Sequence, residues 1–110
     1  MPLSEKVRLE IFIPDPPDTA YRDLLEELAT ELSYAFGGCT EILASGKYRS
    51  FDGLIISDKI NILFSDAPLL WERDRLALGQ YVDWVRGAAQ LALEQEEVVL
   101  VSAYPVAHGE

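Results

Sequence analysis

The sequence has one cysteine and one histidine among its 110 residues. A single cysteine forms neither an intrachain disulfide nor a cysteine-based metal site. The lone histidine, His108, lies in a short polar tail that we expect to fray, so neither Cys39 nor any serine has a catalytic base. We therefore expect no hydrolytic nucleophile, no metal site and no cofactor.

Basic residues are also scarce, and no long apolar run is present. Nine lysines and arginines stand against 19 acidic residues, which gives a net charge of -10 and repels phosphate backbones. No apolar run reaches membrane-spanning length, and Met1–Lys6 lead into no export signal. We expect a cytoplasmic protein with no nucleic-acid partner and no membrane partner.

The length and the hydrophobic content, 49%, predict a single domain over residues 1–110 with one buried core. A first strand is predicted over Val7–Ile13, where apolar residues alternate with Arg8, Glu10 and Phe12. A helix over Tyr21–Phe36 follows, because leucines recur there at three- and four-residue steps. Asp18 or Thr19 is placed to cap its start, and Gly37-Gly38 to end it.

The middle of the chain predicts two strands joined by a hairpin. The second strand begins near Thr40 and has a bulge at Gly46, and Ser50–Gly53 form the turn. The third strand centres on Lys59–Ser65, with Ile60, Ile62 and Phe64 on one face. A second helix is predicted from about Leu69 to Glu94, with its buried side lined by Leu70, Leu78, Tyr81, Val85, Ala88 and Ala92. A last strand covers Val98–Val101, and Pro105 ends the domain.

This order predicts a ferredoxin-like βαββαβ fold, a four-stranded antiparallel sheet with two helices on one face. The uncovered sheet face is expected to carry Arg8, Glu10, Phe12, Leu63 and either Val99 or Val101. Apolar side chains on an uncovered face favour a partner. The predicted self-association interface therefore consists of Phe12, Leu63, Val99 and Val101.

Several of these segments also form a recognisable series: Gly38-Cys39-Thr40, Gly46-Lys47-Tyr48-Arg49, Gly53 and Gln95–Leu100. From Gly38 onward the chain resembles a bacterial family of small proteins with no assigned function. The resemblance covers about two thirds of the chain and rests on spacing and turn residues. It implies a ferredoxin-like fold and brings no reaction with it. The chain departs from the family in having a tyrosine at position 48, where tryptophan is usual, and in lacking an export signal.

Tyr48 and Arg49, with Lys47 beside them, are the best candidates for contact with a small ligand. An arginine side chain holds an anionic molecule through paired hydrogen bonds, so we expect Arg49 to bind such a ligand while Tyr48 or Phe51 covers it. The alternative is an edge strand whose charges prevent edge-to-edge pairing.

The sequence leaves three functions open. The leading hypothesis is a self-associating module, a homodimer formed through open sheet faces or edge strands, with a small-molecule ligand as an additional partner. The second is a cofactor-independent enzyme of the dimeric α/β-barrel type, whose pocket mouth would hold Tyr48, Arg49 and either Trp71 or Trp84. The third is a metal-dependent nuclease that uses Asp15, although turn and cap roles account for that aspartate equally well.

Overall fold

A computed structural model describes residues 3–93 and 100–109, with six regular elements. They are, in chain order, β1 (Leu3–Pro14), α1 (Thr19–Phe36), β2 (Thr40–Arg49), β3 (Ile55–Ala67), α2 (Trp71–Leu93) and β4 (Leu100–Gly109). The predicted order of strands and helices is confirmed. Val99, predicted to lie in the last strand, falls outside the described residues.

The strands form one antiparallel sheet in the order β2-β3-β1-β4. β1 and β3 are therefore central, as the right-handed crossovers of this fold require. α1 lies against β3, α2 lies against β4, and residues of both helices enter the same core cluster. The fold is ferredoxin-like, with two helices on one face of the sheet.

The core is built from the periodicities of the sequence. On β1 the buried residues alternate with partly exposed ones, and they are Val7, Leu9, Ile11 and Ile13. On α1 the buried residues recur at three- and four-residue steps, and they are Tyr21, Leu24, Leu28 and Leu32. On α2 they are Leu78, Val85, Ala89 and Leu93. Leu70, Ala88 and Ala92 are exposed, so the predicted apolar stripe of α2 was wrong at these three positions.

Leu63 and Val101 belong to the core and not to the uncovered face. Both are direct partners of Ile11, Leu63 from β3 and Val101 from β4. Direct partners in an antiparallel pair point to the same side of the sheet, and Ile11 points towards the helices. Leu63 is accordingly 0% exposed and Val101 is buried. Their assignment to a self-association interface was therefore wrong.

β3 is longer than predicted, and both strands of the hairpin are more regular. β2 and β3 keep one register from Thr40, opposite Phe64, to Arg49, opposite Ile55, so no bulge interrupts Gly46. A Cβ at Gly46 would lie 2.9 Å from the Cδ1 of Ile60, so the end of that isoleucine side chain would have to shift to admit it.

β4 also continues past Pro105, although this proline was predicted to end the domain. The strand reaches Gly109 and pairs with β1 as far as Leu3. Proline is tolerated there because β4 is an outer strand, in which every second residue directs its backbone N–H position away from the sheet. His108 is consequently held opposite Ser4, and the prediction of a frayed tail was wrong.

The two ends of α1 are fixed by side-chain and backbone chemistry. Asp18 is the N-cap, and its Oδ1 accepts a hydrogen bond of 2.9 Å from the backbone N–H of Ala20. Gly37 ends the helix with φ +87°, and its N–H donates to the carbonyl of Ser33. Only glycine adopts this left-handed conformation without cost.

Replacing Gly37 should therefore destabilise the fold while replacing its neighbour should not. We expect Gly37→Ala to lower the free energy of unfolding by about 1–2 kcal/mol, the cost of a left-handed residue with a Cβ. Gly38→Ala is the matched control, because neither glycine has an atom within 4 Å of its added Cβ and only Gly37 has a positive φ. Urea denaturation of both variants measures the difference, and equal losses would contradict the assignment of the helix end.

Candidate interaction surface

The sheet face opposite the helices, here called the open face, is covered by no described element. On this face one row of apolar side chains crosses all four strands. The register places Ile42 of β2 opposite Ile62 of β3, Ile62 opposite Phe12 of β1, and Phe12 opposite Leu100 of β4. At the two ends of this apolar row Ile42 is 44% exposed and Leu100 is 62% exposed.

β3 presents its more apolar side to the open face. Ile60, Ile62 and Phe64 point outward with the apolar row, while the buried Asn61 and Ser65 point towards the helices. The Ser65 hydroxyl is satisfied there, because it donates a hydrogen bond of 2.6 Å to the carbonyl of Gly38. A strand that points two polar residues towards the helices and leaves Ile60 and Ile62 half-buried on an uncovered face departs from ordinary patterning. Such departures are expected at functional surfaces.

Next to the apolar row lies a charged cluster, which we define as Arg8, Glu10, Asp66, Tyr104 and His108. Arg8 stands between Asp66 and Tyr104 in the register of β1. Its Nε and Nη2 donate to the two carboxylate oxygens of Asp66 at 2.8 and 2.9 Å. His108 Nε2 approaches Asp66 Oδ2 at 3.2 Å. The Arg8 hydrogen bonds hold the pKa of Asp66 below its usual range, with His108 adding to the effect, and the same pair raises the pKa of Arg8.

The remaining contacts of the cluster join it to the apolar row. The guanidinium of Arg8 lies 4.4 Å above the ring of Phe64, which is a cation–π contact. The Tyr104 hydroxyl donates to a carboxylate oxygen of Glu10, and this hydrogen bond raises the pKa of Tyr104. Each charged group of the cluster thus has a partner within the chain, and these contacts join β1, β3 and β4 at this end of the open face.

The Arg8–Asp66 pair should make stability depend on acid pH. Because the pKa of Asp66 is lower in the folded chain, its ionised form stabilises the fold above the unfolded pKa of about 3.9, and this contribution is lost as the pH falls through the folded value. We expect Asp66→Asn to lower stability at neutral pH and to show a shallower loss between about pH 5 and pH 2. Urea midpoints across this range test it. Asp58→Asn, an exposed carboxylate on the same strand, should keep the slope of the unmodified chain.

The candidate ligand residues Lys47, Tyr48 and Arg49 are brought to the far end of β2 and are all exposed. Tyr48 pairs with Ile56 on the open face, whereas Lys47 and Arg49 alternate to the opposite face. β2 is an outer strand, as the edge-strand alternative required. None of the three lines a described hollow. The helix α2, which carries Trp71 and Trp84, lies against β4 at the opposite edge of the sheet from β2.

Tyr81 of α2 takes part in the contact between the helices. Tyr81 meets the ring of Phe36 edge-on at 5.4 Å and lies 5.8 Å from the ring of Trp84. Its hydroxyl donates to Glu31 at 3.2 Å, and burial together with this carboxylate raises the pKa of Tyr81 to about 12. A shallow apolar hollow of about 220 Å³ lies beside Phe36, Leu78 and Tyr81. Ligand cavities usually exceed about 300 Å³, so this hollow is small for one.

The other residues considered from the sequence are placed apart from one another. Burial raises the pKa of the Cys39 thiol, so at neutral pH it stays protonated, with its Sγ 3.8 Å from the carbonyl of Thr40. Asp15 follows β1, and its N–H donates to the carbonyl of Lys59. Within residues 3–93 and 100–109, no three histidine, cysteine or acidic side chains gather as a metal site. Nor is any helix there long and apolar enough to cross a membrane.

No protein family, curated protein or solved structure with which the chain was compared matches it. The resemblance to a bacterial family of unassigned function therefore stays a prediction. The order and register of its strands establish the fold of the chain, and the open face and the strand edges are its candidate interaction surfaces.

Arg8, Glu10 and Phe12 were correctly predicted to lie on the open face, but the rest of the apolar row was not. Leu100, Ile42 and Ile62 join Phe12 only through the register, which no local pattern reveals. The place of His108 on a strand was not predicted, because the tail after Pro105 has few apolar residues. Tyr104, Val106 and His108 alternate along the chain and share one face of β4, and this spacing was the signal that could have indicated a strand.

Proposed function

We propose that this chain is a self-associating module, cytoplasmic in location, in which the open face of the sheet packs against the open face of a second copy. The observation that carries the proposal is the apolar row Ile42–Ile62–Phe12–Leu100, which no described element covers. Burying such a row yields about 25 cal/mol for each Å² of apolar surface removed from water. A second copy presents the same row, so the contact is self-complementary.

The open face is large enough for such a contact. The strands contain 12, 10, 13 and 10 residues, and each residue occupies about 3.3 Å by 4.8 Å in the plane of the sheet. The open face therefore has a projected area of roughly 700 Å² with the projecting hairpin included, and it is four strands wide from Glu10 to Phe12. Each partner contributes about 800 Å² of accessible surface to a standard interface.

The arrangement of charge on the open face suits an interface with a polar margin. The apolar row lies towards the end of β1, while Arg8 precedes Phe12 by four residues, or about 13 Å along the strand. Stable interfaces combine a dry apolar centre with a polar rim. The internal pairing of Arg8 with Asp66 supports the proposal, because no unpaired charge of this pair needs to be desolvated when the faces meet.

Sedimentation velocity on the unmodified chain at micromolar concentrations tests the proposal. We expect a species of at least twice the chain mass of 12.3 kDa. A chain that sediments as a monomer throughout this range, with no partner added, would overturn the proposed self-association.

A further inference from the structure

β2 leaves a complete strand edge unpaired. It bonds to β3 on one side, and no described strand lies on its other side. The N–H of Ser50 donates to the carbonyl of Leu54 at 2.8 Å, which fixes the phase of the ladder. Bonded and non-bonded pairs alternate, so even-numbered residues of β2 bond to β3 and odd-numbered ones present their backbone groups to the open edge. The open edge runs from Glu41 to Arg49.

The charges along this edge are complementary to those of an antiparallel copy of itself. Glu41 lies near the start of β2, and Lys47 and Arg49 lie at its end, all three on the helix side of the sheet. If Ser45 lies opposite Ser45 of the second copy, each Glu41 meets an Arg49. In the same register each Ile42 meets a Tyr48 on the open face. A parallel arrangement would oppose Glu41 to Glu41 and Lys47 to Lys47, which is unfavourable.

From these observations we propose that the β2 strands of two copies pair antiparallel about Ser45 and join two four-stranded sheets into one of eight strands. The chemistry that recognises the partner is backbone pairing from Glu41 to Arg49, with two reciprocal Glu41–Arg49 ion pairs. The occupant of the edge is therefore a second copy of this chain. The contact is distinct from the open-face contact proposed above and does not depend on it.

The hairpin that projects from the sheet gives independent support. β1 ends its pairing with β3 at Ile60, and residues 55–58 of β3 pair with β2 alone. This ribbon carries exposed apolar side chains, namely Tyr48, Phe51, Leu54 and Ile55. A lone two-stranded ribbon is marginally stable in water, whereas three or more strands suffice for independent stability. In the register centred on Ser45, residues 46–49 of one copy lie opposite residues 41–44 of the other, which pair with β3 and through it with β1. Each projecting ribbon therefore gains the main sheet of the second copy as its neighbour.

The two contacts are compatible, because edge pairing leaves the open face uncovered. The edge dimer has its twofold axis perpendicular to the sheet, so both open faces point the same way and remain available. The edge is best tested in the variant Phe12→Glu, in which the open-face contact is disrupted. In that background we expect a dimer held by β2 alone, at twice 12.3 kDa.

Charge reversal then tests the register. In the Phe12→Glu background, Glu41→Lys sets a lysine against Arg49, and Arg49→Glu sets two acidic residues against each other. We expect each change to weaken the dimer by about tenfold or more, since two pairs turn from attractive to repulsive. An equimolar mixture of the two variants should recover a dimer, because each chain then meets the opposite charge. Glu72→Lys, the same charge change at an exposed position on α2, is the control and should leave the dimer intact.

The outcomes separate the two proposals. A monomeric Phe12→Glu chain would overturn edge pairing. Charge-reversal variants that stay as dimeric as the control would also overturn it, and would indicate that the charges of β2 serve to prevent edge-to-edge pairing. Where Phe12→Glu fails to fold, the same reversals in the unmodified chain should halve its mass, and the mixture should restore it. An unmodified chain that is dimeric through β2 but unaffected by changes on the open face would overturn the proposed function alone.

Discussion

Leu63→Ala is expected to lower the free energy of unfolding by about 2–5 kcal/mol, the range for removing a leucine side chain from a packed core. Leu63 is fully buried and lies opposite Ile11, which is itself fully buried. The cost combines the lost transfer of the side chain from water with the cavity left between the sheet and the helices. Urea denaturation followed by circular dichroism measures it.

The neighbouring residue provides the control. Ile62 lies one position away on the same strand, is also apolar, and points to the open face. We expect Ile62→Ala to lower the free energy of unfolding by about 1 kcal/mol or less, because no cavity forms. The comparison is made in the Phe12→Glu background, so that self-association at the open face does not contribute. Equal losses at the two positions, or a larger loss at Ile62, would contradict the register of β3.

Phe12→Glu is expected to halve the mass of the associated species. Phe12 lies in the apolar row between Ile62 and Leu100, so a contact through the open face would bury the new carboxylate against apolar side chains. An unpaired buried charge costs several kcal/mol, which corresponds to at least a hundredfold weaker association. Sedimentation velocity of both proteins at equal concentration measures the change.

Two further variants make the result specific. Leu100→Glu changes an exposed residue of the same row and should act like Phe12→Glu with little risk to the fold, since Leu100 is 62% exposed. Leu76→Glu adds the same carboxylate on α2, where the leucine is 76% exposed, and should leave the mass unchanged. Dissociation by Leu76→Glu with no effect of the two row variants would assign the interface to the helices.

The order of elements and the central place of β1 and β3 were predictable from the sequence, and the orientation of β3 was not. Alternation on β1 identifies its buried face without ambiguity, because Val7, Leu9 and Ile11 alternate with charged residues. On β3 both faces contain apolar residues. The more apolar set, Ile60 with Ile62, suggested the core face, yet the register with β1 places Leu63 there.

The candidate site was harder to predict because it depends on contacts between distant parts of the chain. Arg8 and Asp66 lie 58 positions apart and meet only because β1 and β3 are paired. His108 reaches Asp66 only because β4 continues past a proline that outer strands tolerate. Lys47, Tyr48 and Arg49 were correctly suspected of lying on an edge, and the sequence held no indication that this edge is complementary to itself.

Isotope-filtered nuclear Overhauser spectra on an equimolar mixture of labelled and unlabelled chains test the open-face contact most directly. We expect intermolecular contacts from the ring of Phe12 and the methyl groups of Ile62 and Leu100. Intermolecular contacts that come only from α2 side chains such as Leu76 and Leu91 would contradict the open-face contact. A sample that sediments as a multimer but shows no intermolecular contact from Phe12, Ile62 or Leu100 would also contradict it.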